Sequence, residues 1–101
     1  MLTKNNILEF LSENKTYLKE KYFLDRIGLV GSFSRGDFNE DSDIDLIVYF
    51  NEDAKNNRIY RLYVGLQQEI KNHFHKEVDI IANGKVLPAF RDKIEKEALY
   101  V

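Results

Sequence analysis

Apolar residues along this chain fall into helical repeats of three to four residues and into short apolar runs between polar flanks. Ile7, Leu8, Phe10 and Leu11 make one apolar face, and Tyr17, Leu18 and Tyr22 resume it after the polar interruption Ser12-Glu13-Asn14. The pattern predicts helix over residues 7–22 in two pieces, with Asn6 and Glu9 as a capping pair at its start. Arg26-Ile27-Gly28-Leu29-Val30-Gly31 is short and apolar between polar flanks, as in a buried strand. Ser34-Arg35-Gly36 reads as a short turn or a helical start, Asn39 to Ser42 as a polar loop, and Asp43 to Phe50 as a second strand. Ile59, Leu62, Leu66, Ile70 and Phe74 share one helical face and are assigned to the core. Asp53 is placed to cap that helix. Glu77 to Ala82 follows as a third strand and Asn83-Gly84 as a turn. Pro88 suits the first turn of a last helix that carries Phe90, Ile94 and Ala98 at four-residue intervals.

The predicted order is helix, strand, strand, helix, strand, helix. It implies an α/β (α+β) fold, a small mixed sheet of about three strands packed with helices. A chain of 101 residues is expected to form one domain over 1–101. Hydrophobic residues at 44% and charged residues at 32% argue against a disordered chain. The net charge of −2 gives no sign of a broad nucleic-acid-binding surface. The absence of cysteine excludes disulfides and cysteine-ligated zinc and fits a cytoplasmic protein. No apolar run approaches the ~18 residues of a membrane-spanning helix, and the N-terminus lacks the apolar stretch of a signal peptide.

Candidate chemistry concentrates between residues 31 and 45. Side chains alternate along a strand, so Asp43 and Asp45 are expected on one face, with Ile44, Leu46 and Val48 on the other. Two carboxylates about 5 Å apart repel by roughly 3 kcal/mol at an effective dielectric near 20. Such a pair invites a hard cation with oxygen ligands, and magnesium takes one or two carboxylates together with phosphate oxygens. Asp79 lies between Val78 and Ile80 and is expected opposite the core on the third strand. If that strand neighbours the second, three carboxylates converge, and Asp79 could ligate metal or accept a proton from an attacking hydroxyl. Gly31 permits close backbone approach to a ligand, and Ser32 offers a hydroxyl and an N–H to phosphate oxygens.

Gly31-Ser32, ten intervening residues and Asp43-Ile44-Asp45 resemble the signature of the nucleotidyltransferase superfamily that includes DNA polymerase beta. The fuller strings Gly31-Ser32-Phe33-Ser34-Arg35-Gly36 and Ser42-Asp43-Ile44-Asp45-Leu46 are similar to its minimal nucleotidyltransferase branch. Val78-Asp79-Ile80 and the ending Ile94 to Val101 extend that likeness over nearly the whole chain. The resemblance implies a nucleotidyltransferase fold, with Asp43, Asp45 and Asp79 as catalytic magnesium ligands (manganese being the other candidate ion). Gly31 and Ser32 would hold the triphosphate. It further implies transfer of AMP from ATP to a hydroxyl. Members this short typically lack the further domain by which larger relatives bind their acceptors. Many are antitoxins that modify a tyrosine of a partner HEPN-domain ribonuclease toxin. Position 34 is serine where alanine is more usual, a change that touches no catalytic group.

Plainer readings stand beside these. Asp43 and Asp45 could form a solvated face, and Asp79 could guard an edge strand against aggregation. Arg35 could steady a phosphate or pair with Asp37 or another surface carboxylate. His73 and His75, at the end of the long helix, are expected to be structural or exposed. A docking antitoxin that works without turnover, and transfer to a small molecule or RNA end, remain alternatives. A homo-oligomer is left open.

Overall fold

A computed structural model describes residues 1–101. The N-terminal helical region comes in two pieces, α1 (Lys4–Glu13) and α2 (Lys15–Tyr22), broken at Asn14. Thr3, not Asn6, is the N-cap of α1. Its hydroxyl accepts the Asn6 N–H at 3.2 Å, and the Asn6 side chain accepts the Thr3 N–H at 3.1 Å. The expected Asn6–Glu9 pair is thus displaced by one helical turn, because Thr3 starts the helix earlier than the apolar face does. Strand β1 (Leu24–Val30) leads into the short helix α3 (Gly31–Arg35), and β2 (Ile44–Phe50) follows the polar loop. A 3-10 helix, Glu52–Asn57, comes before α4 (Ile59–Phe74). Asn51 caps that 3-10 turn by accepting the Asp53 N–H at 3.0 Å, so Asp53 is not the cap of the long helix. Strand β3 (Val78–Ala82), helix α5 (Pro88–Glu97) and a two-residue strand β4 (Leu99–Tyr100) complete the chain.

The sheet has four strands in the order β3-β2-β1-β4, one more than expected. β1 pairs antiparallel with both β2 and β4, while β2 and β3 run parallel, a pairing that requires the crossover supplied by α4. Its two faces are covered unequally. Ile27, Leu29, Ile44, Leu46, Val48, Val78 and Ile80 point to the side on which α1, α2 and α4 lay Ile7, Leu11, Leu18, Leu66 and Ile70, and these form the principal core. The stripe on α4 is core in its middle. Leu66 and Ile70 are fully buried and Leu62 and Phe74 partly so, whereas Ile59 at the helix start is exposed.

The opposite face carries Gly28, Val30, Asp45, Ile47 and Asp79 and is covered mainly by α5, which buries none of its own residues. The expected apolar repeat on the last helix is therefore not a core stripe, and Phe90 is 53% exposed. β4 is held against β1 partly by the absence of a side chain at Gly28. A Cβ there would stand 2.8 Å from Tyr100 Cδ1. No helix is long and apolar enough to cross a membrane.

Candidate active site

Val30 and Asp45 are partners across β1 and β2, so the chain turns from β1 into α3 directly beside Asp45. Gly31 makes that turn with a φ of 77°. A Cβ at Gly31 would lie 2.2 Å from Asp45 Oδ2, so the glycine is required both for its backbone conformation and for the space the carboxylate fills. On its other side Asp45 is in direct register with Asp79 of β3. Both carboxylates therefore stand on the face away from the main core.

Asp43 was expected inside the second strand but lies just outside it, exposed, since β2 begins at Ile44. The Ile44 N–H donates to the Glu77 carbonyl at 3.0 Å, which aligns the start of β2 with β3. The loop before Asp43 is held from β3's side as well. Lys76 Nζ donates to the carbonyls of Glu40 (2.7 Å) and Ser42 (3.0 Å), and the Asn39 N–H donates to Ser42 Oγ at 2.9 Å. A single lysine thus spans the segment that delivers Asp43.

Burial lifts the Asp45 carboxyl from its ordinary value near 3.8 to about 6, and the charges of Asp79 and Asp43 push the same way. Arg35 opposes the rise and Glu97 adds to it. Negative charge thus accumulates around Asp45 with one guanidinium to offset it. The donor set is all carboxylate oxygen, the chemistry that magnesium and manganese take. As the side chains stand, no three acidic or histidine groups are gathered tightly enough to hold an ion.

Gly31, Ser32, Arg35 and Asp45 line an open cleft of about 430 Å³. Its far wall is apolar and comes from Ile81, Val86, Leu87, Phe90 and Ile94, while Lys93 and Glu97 add charge. That volume is within the range of small-molecule sites. Asp43 and Asp79 do not line the cleft; they flank it from the start of β2 and from β3. Arg35 is paired: Nη1 donates to Glu97 Oε2 at 3.0 Å and Nε to Asp37 Oδ2 at 3.1 Å. His73 stacks on Phe10 with ring centroids 4.0 Å apart, the structural role expected of it.

Glu97 joins the site from the far end of the chain. It accepts the Gly31 N–H across 66 residues of chain, and no local pattern marks such a partner. The nearest signal is Ser34, whose hydroxyl donates to the Glu97 carbonyl. Ser34 thus ties α3 to the end of α5.

A carboxylate pair thus stands in register across parallel strands, beside a glycine–serine turn at an open cleft. The chain belongs to the nucleotidyltransferase domain family, whose pattern it matches over residues 7–101. It is 34% identical over 102 residues to a Methanocaldococcus jannaschii protein named as a candidate protein adenylyltransferase, with the whole of both chains covered. It is 28% identical over 101 residues to the protein adenylyltransferase MntA of Thermococcus cleftensis, covering 100% of this chain and 98% of that one. Among solved structures, a minimal nucleotidyltransferase superposes with a TM-score of 0.76 at 26% identity, covering 97% of this chain and 95% of the other. A toxin–antitoxin crystal structure with AMP-PNP shares the fold at a TM-score of 0.59 and 20% identity, with 98% of this chain and 72% of that chain covered. The chain is thus a nucleotidyltransferase with the fold of the minimal branch.

Proposed function

We propose that this nucleotidyltransferase moves AMP from ATP to a tyrosine hydroxyl of a partner protein, a HEPN-domain ribonuclease toxin, and so acts in the cytoplasm as its antitoxin. The observation that carries the reading is the register of Asp45 with Asp79 beside the Gly31-Ser32 turn. The likeness to MntA, a protein adenylyltransferase matched over nearly its whole length, supports a protein as the acceptor.

Asp43, Asp45 and Asp79 would hold magnesium or manganese. The bound ion would neutralise charge on the phosphates and on the departing pyrophosphate. Gly31 and Ser32 hold phosphate oxygens through N–H and hydroxyl donors, and Arg35 adds positive charge at the same wall of the cleft. The apolar wall formed by Leu87 and Phe90 receives the base and sugar. Asp79, exposed on β3, accepts the proton of the attacking hydroxyl. The tyrosine oxygen bonds to the α-phosphorus, and the bond from that phosphorus to the bridging oxygen breaks to release pyrophosphate. The acceptor comes from a second protein.

The test is to incubate the protein with labelled ATP, magnesium and the product of the neighbouring gene. Label is expected on a tyrosine of that product and is abolished by Asp43→Ala with Asp45→Ala, while the fold is retained. No label with magnesium or manganese would sink the reading. Protection of cells by the double variant would identify docking, not transfer, as the means of neutralising the toxin.

A further inference from the structure

Glu97 stands where the proposed function calls for a phosphate. Its side chain is only 9% exposed, on the wall of the same cleft as Ser32 and Asp45. Oε1 accepts the Gly31 N–H at 3.4 Å, and Oε2 accepts Arg35 Nη1 at 3.0 Å. A carboxylate and a phosphate oxygen make the same demands, since both are anionic and only accept hydrogen bonds. The two cannot occupy the same donors, and side by side they repel.

We propose that Glu97 is a resident anion at the phosphate subsite, displaced from Gly31 and Arg35 when a nucleoside triphosphate binds, and that it thereby sets the nucleotide affinity of the site. The inference rests on the proposed function and adds a residue to it. The Glu97 backbone is fixed independently, because its carbonyl accepts the Ser34 hydroxyl. The displacement is therefore a rotation of the side chain that leaves the end of α5 in place. Nothing in the main core moves, since α5 buries none of its residues. A ligand with several phosphate charges competes for these donors better than one with a single phosphate, so the carboxylate also selects for triphosphates.

Binding of ATP with magnesium, and of inorganic tripolyphosphate, to the whole chain is measured by titration calorimetry for the wild type, Glu97→Gln and Glu97→Asp. Glu97→Gln keeps the shape and removes the charge, and is expected to tighten both ligands by roughly tenfold, the scale of one charge-assisted hydrogen bond that no longer has to be broken. Glu97→Asp, whose shorter side chain draws back from the Gly31 N–H, is expected to give a smaller gain. Circular dichroism reports whether each variant is folded. If Glu97→Gln does not fold, Glu97→Asp decides, and no gain in the folded variant overturns the proposal. Equal or weaker binding by a folded Glu97→Gln also overturns it, and means that Glu97 serves to orient Arg35. A wild type that binds neither ligand would refute the proposed function itself, an outcome distinct from unchanged affinity in the variants.

Discussion

Asp45 is packed between Gly31 on one side and Asp79 on the other, and its protonation should register in stability. Its folded value of about 6 is above the ordinary 3.8, so the folded state holds this proton more tightly than the unfolded chain does. The resulting stabilisation is complete below about pH 4 and is lost as pH rises through 6. Because the group is only half-buried, the loss is roughly 1–2 kcal/mol after solvent screening. With a chelator present, the melting temperature should fall by several degrees between pH 5 and pH 7.5, and Asp45→Asn should remove most of that fall. A slope unchanged in Asp45→Asn would place the titrating group elsewhere. Gly31→Ala meets both a left-handed φ and a contact of 2.2 Å with the carboxylate. It should cost roughly 2 kcal/mol and push Asp45 out of place. Chemical denaturation reads the first effect and AMP transfer the second.

Among the elements, the loop that delivers Asp43 and the helix that carries Glu97 are each tied by a few polar contacts from distant parts of the chain. Lys76 Nζ bonds two loop carbonyls, and Lys76→Met removes both bonds while keeping much of the side chain's bulk. The expected loss of stability is about 1 kcal/mol, whereas transfer should fall by up to roughly 100-fold, because small displacements of a catalytic group are costly. Thermal melts beside initial transfer rates separate the two, and parallel declines of similar size would argue that Lys76 is merely structural. The helical periods of α1, α2 and α4 and the short apolar runs of the three longer strands were legible because both are written in neighbouring positions. β4 was not. Two residues display no period, and the pairing of Leu99 with Leu29 and of Tyr100 with Gly28 joins segments far apart in sequence. The caps at Thr3 and Asn51 were misassigned for a related reason, since several polar residues near each helix start could serve and only the backbone path decides among them.

Across the whole molecule, the sheet divides labour between its faces. One face is sealed by α1, α2 and α4, and the other is left under α5 with an open cleft. Substitutions on the two sides should therefore behave differently. Leu46→Ala, at a fully buried position, should cost about 2–5 kcal/mol. Phe90→Ser, at a residue 53% exposed, should change stability by less than about 0.5 kcal/mol yet weaken ATP binding. Denaturant midpoints and nucleotide titrations of the two variants test this contrast, and a Phe90→Ser protein with unaltered ATP affinity would remove the apolar wall from the nucleotide site.

The sequence by itself determined the class of fold and the main core, and it singled out Gly31, Ser32, Asp43, Asp45 and Asp79 as candidate groups. Those features are local: a short apolar run, a helical period and a short motif are all written in neighbouring positions. Only the tertiary structure decided that Asp45 faces Asp79 in register, that Asp43 belongs to the loop before β2, and that Arg35 is already paired. It alone brought Glu97 to Gly31. The physical reason is that hydrogen bonds and charges act through space over a few ångströms, and the strand order that sets those distances joins residues widely separated along the chain.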